Sequence, residues 1–112
     1  MPKTQKLKNF LKGLINLKNL CLTNCKLRII RFEFFNGLEQ LEVLNLSWNR
    51  RIVLEDECFR SLNALKKLIL SQCNISRLNE KSFAGLVNLE ELDLCDNDNI
   101  QLEHIFLFWV EF

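Results

Sequence analysis

One pattern of hydrophobic and polar positions recurs every 24 residues along the chain. Each copy opens with leucines at alternate positions, as in LNLSWN at 44–49, and carries a phenylalanine or leucine two places before its end. The four copies align without a gap at 14–37, 38–61, 62–85 and 86–109. A fixed period of this length is typical of solenoid proteins, in which each repeat buries its apolar side chains only against its neighbours.

The alternation at the start of each copy predicts a short strand, because side chains two residues apart on a strand point to the same side. Strands that return at one period lie side by side and parallel, about 4.8 Å apart. The second half of each copy is too short and mixed for a long helix, so turns or brief 3-10 segments are predicted there. We expect a single domain, 1–112, with an incomplete repeat or N-terminal edge at 1–13 and a C-terminal edge at 110–112.

Two columns of the alignment have structural interpretations. After each strand the backbone turns into the interior, where its N–H and C=O groups need partners and a buried carboxamide can supply both kinds. A thiol is small and also tolerates burial. This ladder column holds Cys25, Asn49, Cys73 and Asn97. A second column, on the outer half of the repeats, predicts a spine of stacked rings and holds Phe35, Phe59 and Phe83.

Composition and charge narrow the range of partners. A formal net charge of +1 gives no bias toward nucleic acid or an anionic membrane, so nucleic acid is not expected as a partner. The N-terminal sequence MPKTQKLKNF does not read as a secretory signal. The densest apolar stretch, 105–110, is too short to span a bilayer, so no direct membrane insertion is expected.

Catalysis is not expected, because an enzyme needs a nucleophile, a base or a metal site within mutual reach. The one histidine, His104, has no arrangement of cysteine and acidic residues built around it. No glycine-rich phosphate loop occurs either. No catalytic residues, metal ligands or cofactor are therefore predicted.

Five cysteines, an odd number, argue against a framework of paired disulfides. Cys25 and Cys73 share a column two repeats apart, which places them about 10 Å from each other by strand spacing. A disulfide needs Cα atoms within about 7 Å. We expect five free thiols, which favour a reducing compartment or a fragment. Two glycosylation sequons, at Asn45 and Asn74, favour the opposite.

The pattern LxxLxLxxNxLxxL followed by xxxxFxxL resembles the leucine-rich repeat in its 24-residue form, over residues 14–110. The resemblance implies an α/β solenoid, a horseshoe with a parallel β-sheet on its concave face and turns or short 3-10 segments on its convex face. This form is similar to ectodomain repeats of Toll-like receptors, which act in innate immunity, and of adhesion proteins. It therefore implies a non-catalytic protein-binding module from a receptor or adhesion ectodomain, extracellular or at the cell surface.

The chain departs from this family in ways that indicate a fragment. The Cys-rich caps and signal peptide of extracellular members are missing, and two ladder positions are Cys. In the second and fourth repeats the next apolar residues, Ile52 and Ile100, lie one place later than Leu27 and Ile75. Because solenoids need terminal caps, we expect flanking repeats or caps in a longer chain. A cytoplasmic scaffold or adaptor, consistent with free thiols and no signal, is the alternative.

The predicted ligand-binding site is the concave face, where outward strand positions and the residues just beyond them meet solvent. An exposed Trp beside small polar residues and flanked by charge suits a protein-binding hot spot. The alternative is an ordinary solvated face, since single exposed apolar residues are common. The predicted site residues are Val43, Asn45, Ser47, Trp48, Lys67, Ile69, Ser71, Glu91, Asp93 and Asp96.

Overall fold

The computed structural model describes residues 3–102 of the chain. The predictions for His104, for the apolar stretch 105–110 and for the edge at 110–112 lie outside the described residues. Helix α1, Lys3–Leu11, occupies the place of the predicted incomplete repeat. Among the described residues, no helix has the length and hydrophobicity that crossing a bilayer requires.

Four short strands form one parallel sheet. They are β1, Asn19–Cys21; β3, Val43–Asn45; β5, Lys67–Ile69; and β7, Glu91–Asp93. They lie in the order β1–β3–β5–β7, and each pairs with the next at a register of 24 residues. The predicted solenoid with a parallel sheet on one face is confirmed, in the form of four successive turns.

The core is a continuous column of side chains from successive repeats. Leu44 and Leu68 in the strands, and Leu46 and Leu70 two residues later, are fully buried. Burial of one such leucine contributes about 1.5–3 kcal/mol. Each of these leucines is covered by the preceding and the following turn of the solenoid. The apolar positions must therefore recur at the same place in every repeat. A single repeat has no partner for its own apolar side chains.

On the outer side, the rings of Phe35, Phe59 and Phe83 stack in a row, with centroids 6.1 and 6.4 Å apart. The second and third repeats approach closely here. A Cβ on Gly85 would lie 2.5 Å from the Cα of Arg60, and Gly85 has a φ of +92°. Both the close approach and the left-handed backbone require glycine at this position.

A second set of short strands, which we call the flank strands, follows the turns and was not predicted from the sequence. They are β2, Ile29–Ile30; β4, Val53–Leu54; β6, Arg77–Leu78; and β8, Gln101–Leu102. They form two separate pairs, β2–β4 and β6–β8, and within residues 3–102 β4 does not pair with β6. A 3-10 helix, Phe32–Phe35, follows β2, as the sequence predicts for the outer half of a repeat. A cleft of about 340 Å³ separates β4 from β6.

Asn49 is fully buried and connects the first two repeats. Its Oδ1 accepts hydrogen bonds from the backbone N–H groups of Cys25 and Leu27, each at 3.0 Å. Its Nδ2 donates to the carbonyl oxygens of Leu22 and Leu46, at 3.0 and 2.7 Å. One carboxamide therefore satisfies backbone groups from two successive turns.

Asn97 repeats this arrangement between the third and fourth repeats. Its Oδ1 accepts hydrogen bonds from the N–H groups of Cys73 and Ile75, at 3.2 and 2.9 Å. Its Nδ2 donates to the carbonyl oxygens of Leu70 and Leu94, at 2.8 and 3.0 Å. The two asparagines thus join the four repeats in two pairs, the same pairs that the flank strands join.

The two cysteines of the ladder column differ in burial. Cys73 is fully buried, and its thiol donates a hydrogen bond to the carbonyl oxygen of Leu46 at 3.2 Å. Cys25 is exposed, so its predicted burial is wrong. The reason is its place in the array: β1 is the edge strand of the four-stranded sheet, so no preceding strand of that sheet covers this repeat.

Candidate functional site

The strand residues on either side of the buried leucines project from the open side of the sheet, because side chains alternate across a strand. The register places them in two rows, Val43–Lys67–Glu91 and Asn45–Ile69–Asp93. We call these six residues the sheet face. All are half-buried except Glu91, which is exposed. The fold therefore brings six of the ten predicted site residues together on one surface.

Several polar side chains of the sheet face already form an ion pair or hydrogen bonds with neighbouring groups of the chain. The Lys67 Nζ lies 3.1 Å from an Oε2 of Glu91, a surface ion pair of the kind that contributes about 0–1 kcal/mol. The Oδ1 atoms of Asn45 and Asp93 each accept a hydrogen bond from the backbone N–H two residues later, at 3.0 and 2.9 Å. These bonds hold the polar side chains in fixed positions around the half-buried Ile69.

Ser47, another predicted site residue, is not accessible to a ligand. Its exposed fraction is only 4%, and its Oγ lies 2.9 Å from the Oγ of Ser71, which is half-buried. The backbone has already turned toward the interior at this position, so the side chain is enclosed between repeats. The assignment of Ser47 to ligand contact is therefore wrong.

Trp48 lies beyond the end of β3, and half of its surface is exposed. Its φ is +66°, in the left-handed region that bulky residues rarely adopt. The residues in the same column, Asn24, Gln72 and Asp96, also have positive φ, so the turn itself demands this conformation. A left-handed residue costs roughly 1–2 kcal/mol, and Asn or Asp adopts it more readily. The chain thus keeps an aromatic ring where its backbone disfavours one.

A cleft of about 500 Å³ lies beside Trp48, where the chain leaves the sheet. We call it the flank cleft, and its lining residues are Asn24, Lys26, Leu27, Arg28, Trp48, Arg50 and Arg51. The Arg50 guanidinium lies 5.9 Å from the centroid of the Trp48 ring, within the range of a cation–π contact. In the described part of the chain the ion pairs lie elsewhere, at Arg31 and Lys67. Within residues 3–102, no carboxylate forms an ion pair with the four cations of the flank cleft.

Sequence reasoning missed the flank cleft, although a signal for it is present. Its cations come from two consecutive repeats, and Lys26 and Arg50 occupy the same column of the alignment. In the fourth repeat that column holds Asp98, and the column of Trp48 holds Asp96, which is exposed. A column-by-column count of charge would have found this difference, whereas the net charge of the chain hides it.

None of the five cysteines forms a disulfide, and the pKa of three of their thiols is shifted from its ordinary value. Burial raises the pKa of the Cys58 and Cys73 thiols, both of which are fully buried. Hydrogen bonds from Thr23 lower the pKa of the Cys21 thiol, which is exposed at the end of β1. Residues 3–102 contain no group of three or more His, Cys, Asp or Glu side chains that could hold a metal ion.

Comparisons with known proteins identify a family and a similar solved structure. A family model described as "Leucine rich repeat" matches residues 15–75 and 49–98 of the chain. The chain is also similar to a chain in the crystal structure of a TLR13–ssRNA13 complex, with 36% sequence identity and a TM-score of 0.75. The alignment covers 88% of this chain but only 14% of that one. A search of curated proteins found no match.

This likeness confirms the predicted resemblance to a segment of a Toll-like receptor, and it corrects one expected absence. The similar chain is in a complex with single-stranded RNA, so the prediction that excluded nucleic acid as a partner is wrong. The physical reason is that net charge is a sum over the whole chain, whereas a nucleic acid contacts a local surface. Here a charge of +1 conceals both a basic flank cleft and an acidic fourth repeat.

Proposed function

The chain belongs to the leucine-rich repeat family, and from that premise we propose that it is a non-catalytic recognition domain that binds a protein ligand through its sheet face. It is a segment of a receptor or adhesion-type ectodomain. One observation supports this most directly: the half-buried Val43 and Ile69 lie among the charged groups of Lys67, Glu91 and Asp93 on one surface.

A surface of this composition suits a protein partner. Apolar side chains at the centre of a patch exclude water on contact, while the polar side chains around them give direction and specificity. Each side chain stands on a strand whose position is set by backbone pairing to at least one neighbouring strand. The sheet face therefore loses little conformational freedom on binding, and this favours affinity.

We place the domain outside the cell or at its surface, by its likeness to a Toll-like receptor segment. The exposed sequon at Asn74 supports this, because a glycan there would not obstruct the sheet face. Asn45 is less suited, since it is half-buried and its carboxamide is hydrogen-bonded. A mass shift at Asn74 on enzymatic deglycosylation of the protein purified from its own cells would support an ectodomain. Unmodified Asn74 would favour the cytoplasmic adaptor.

The sheet-face proposal is tested by photo-crosslinking followed by titration. A photo-reactive amino acid at Ile69 should crosslink to cell-surface or secreted proteins, and the captured partner is then purified. The same amino acid at Val87, which is 76% exposed and does not belong to the sheet face, is the matched control. Binding of the purified partner should weaken by about tenfold or more in Ile69→Lys, as expected for a buried hot-spot residue.

Val87→Lys should leave the affinity of the captured partner unchanged, because the same charge is added to an exposed apolar position elsewhere. Both variants should unfold at nearly the wild-type temperature, since neither side chain is part of the core. Equal crosslinking from the two positions, or equal affinity of the two variants, would remove the sheet face as the protein-binding surface.

We also propose a second function, the binding of single-stranded nucleic acid. Two observations support it: the similar chain is in a complex with single-stranded RNA, and the first two repeats carry a local excess of cations. The direct test is titration of the chain with a labelled oligouridylate at several salt concentrations. Salt-dependent binding is expected, and the absence of binding at low salt would contradict this function.

A further inference from the structure

We infer that the flank cleft is the surface on which a single-stranded nucleic acid binds. One base stacks on Trp48, and neighbouring phosphates contact the four cations around the ring, Lys26, Arg28, Arg50 and Arg51. This assignment rests on the second function proposed above and names its surface and the role of each residue.

The charges of the flank cleft call for an anionic ligand. Four exposed cations line one cleft of about 500 Å³, and no carboxylate within residues 3–102 pairs with any of them. Their mutual repulsion is offset only by solvent and counterions. A phosphate backbone supplies negative charges at regular spacing, and each contact releases a condensed counterion, which favours binding.

Trp48 supplies what a base requires. Half of the side chain is exposed, and Arg50 lies 5.9 Å from its ring centroid, so that the ring and the cations form one surface. Every base has a π-face, so stacking on an aromatic side chain depends little on sequence. In a duplex the faces of the bases are covered by their neighbours, so an exposed ring of this kind selects a single strand.

One buried side chain holds both walls of the flank cleft in place. Asn49 lies between Trp48 and Arg50 in the chain and is fully buried. Its Oδ1 accepts hydrogen bonds from the N–H groups of the residues on either side of Lys26, both at 3.0 Å. The backbones that carry the cations of the first and second repeats are therefore fixed relative to each other before any ligand binds.

The repeat architecture does not by itself produce this cluster. The corresponding positions in the third and fourth repeats are Gln72, Asn74, Asp96 and Asp98. That flank has no aromatic ring and two carboxylates, so it would repel a phosphate backbone. An acidic peptide would also be attracted to the basic flank, but it makes no use of an exposed ring at the centre. The ring and the cations together favour a nucleic acid.

The assignment is tested by titrating the 112-residue chain with a dye-labelled oligouridylate of about ten nucleotides. Trp48→Asn removes the ring and places at this left-handed position a residue that adopts it readily, so this variant should fold at least as well as the wild type. Its affinity should fall by about fivefold or more, as expected for the loss of one stacked base.

Arg50→Gln combined with Arg51→Gln should weaken binding further and reduce the salt dependence. The slope of log affinity against log salt should become smaller by about 1.4, because each phosphate contact to a single strand contributes about 0.7. Lys66→Gln combined with Lys81→Gln is the matched control, since it removes two exposed cations that do not line the flank cleft. Its affinity should stay near the wild-type value.

The possible results test two claims separately: that the chain binds single-stranded nucleic acid, and that it does so at the flank cleft. If the wild-type chain binds the oligouridylate and both flank-cleft variants bind it equally well, this assignment is overturned while the second proposed function stands. If the wild type does not bind, both fail. Polyglutamate that competes as effectively as oligouridylate, with no effect of Trp48→Asn on either, would assign the flank cleft to an acidic protein instead. None of these outcomes changes the crosslinking result at the sheet face.

Discussion

The junction between the first and second repeats and the junction between the second and third repeats join equivalent backbones in different ways. At the first, Asn49 bonds to groups from both turns, and β2 pairs with β4. At the second, Cys73 supplies one short thiol contact to Leu46, β4 and β6 do not pair within the described residues, and a cleft of about 340 Å³ lies between them. The comparison indicates that the ladder side chain determines how closely the flanks of neighbouring repeats approach.

The physical difference between the two side chains is the carboxamide oxygen. Asn49 accepts two backbone N–H groups of the preceding turn, whereas a thiol is a weak donor and a weak acceptor. The backbone conformation of the turn differs accordingly. In the first and third repeats, which face an asparagine, two residues per turn have positive φ: Asn24 and Lys26, then Gln72 and Asn74.

In the second repeat, which faces Cys73, only Trp48 of the corresponding residues has positive φ. The next buried apolar residue is Ile52, one place later than Leu27 in the first repeat. Turn shape and ladder partner thus vary together. The one-place shift seen in the sequence therefore has a physical counterpart: a turn whose N–H groups do not converge on a carboxamide oxygen.

Among the changes that test this comparison, Asn49→Ala should have the largest effect on stability, because it leaves the first junction without the hydrogen bonds of its ladder residue. Two N–H groups and two carbonyl groups lose a buried partner, and we expect a loss of about 3 kcal/mol in the free energy of unfolding, at the upper end for such a change. Urea unfolding followed by circular dichroism measures it. Asn63→Ala is the control, since this exposed side chain should change stability by less than about 0.5 kcal/mol. Equal stability of the two variants would contradict the role of the carboxamide.

Alkaline pH should weaken the second junction and leave the first unaffected, because only the second carries a titratable ladder residue. Burial raises the pKa of the Cys73 thiol above its ordinary value of 9.0, so its contribution to stability is complete below pH 9.0. Above that pH the unfolded thiol ionises before the folded one, and stability falls by about 1.4 kcal/mol per pH unit until the folded pKa is reached.

Burial raises the pKa of Cys58 in the same direction, so the wild-type chain should lose stability through two thiols. In Cys73→Ala the slope of unfolding free energy against pH just above 9.0 should fall to about half of the wild-type slope. Urea titrations on either side of pH 9.0 measure both slopes. An unchanged slope would mean that Cys73 does not remain protonated in the folded chain.

Cys73→Ala at neutral pH should have the smallest effect. It removes a weak hydrogen bond to Leu46 and one sulfur atom from a junction that is already loosely joined, so a loss of about 1 kcal/mol is expected. The same urea experiment compares it directly with Asn49→Ala. A loss as large as that of the asparagine variant would show that the two junctions depend equally on their ladder residues.

Much of the fold could be predicted, because the 24-residue period of the sequence also sets the register in which successive strands pair. Leu44, Leu68 and Leu92 recur at one spacing and can be buried only by lying opposite one another, so the parallel sheet follows from the sequence. The flank strands could not be predicted in the same way. Whether Val53 pairs with a neighbour depends on the course of the preceding turn, which short apolar stretches do not reveal.

The candidate site was predicted in part. The rows of the sheet face follow from strand alternation, so residues such as Lys67 and Ile69 could be placed in advance. Ser47 could not, because its exposure depends on the exact residue at which the backbone leaves the sheet. The flank cleft was missed because its cations come from turns, whose residues lack a simple alternation between inside and outside.

By itself the sequence determined the 24-residue period, the parallel order of the strands and the leucines of the core, since an apolar side chain in one repeat can be buried only against its equivalent in the next. Only the tertiary structure decided which polar side chains face solvent and which cations lie around Trp48. Hydrogen bonds of Asn49 across two repeats set the path of the turns, and that path brings together residues that are distant in the chain.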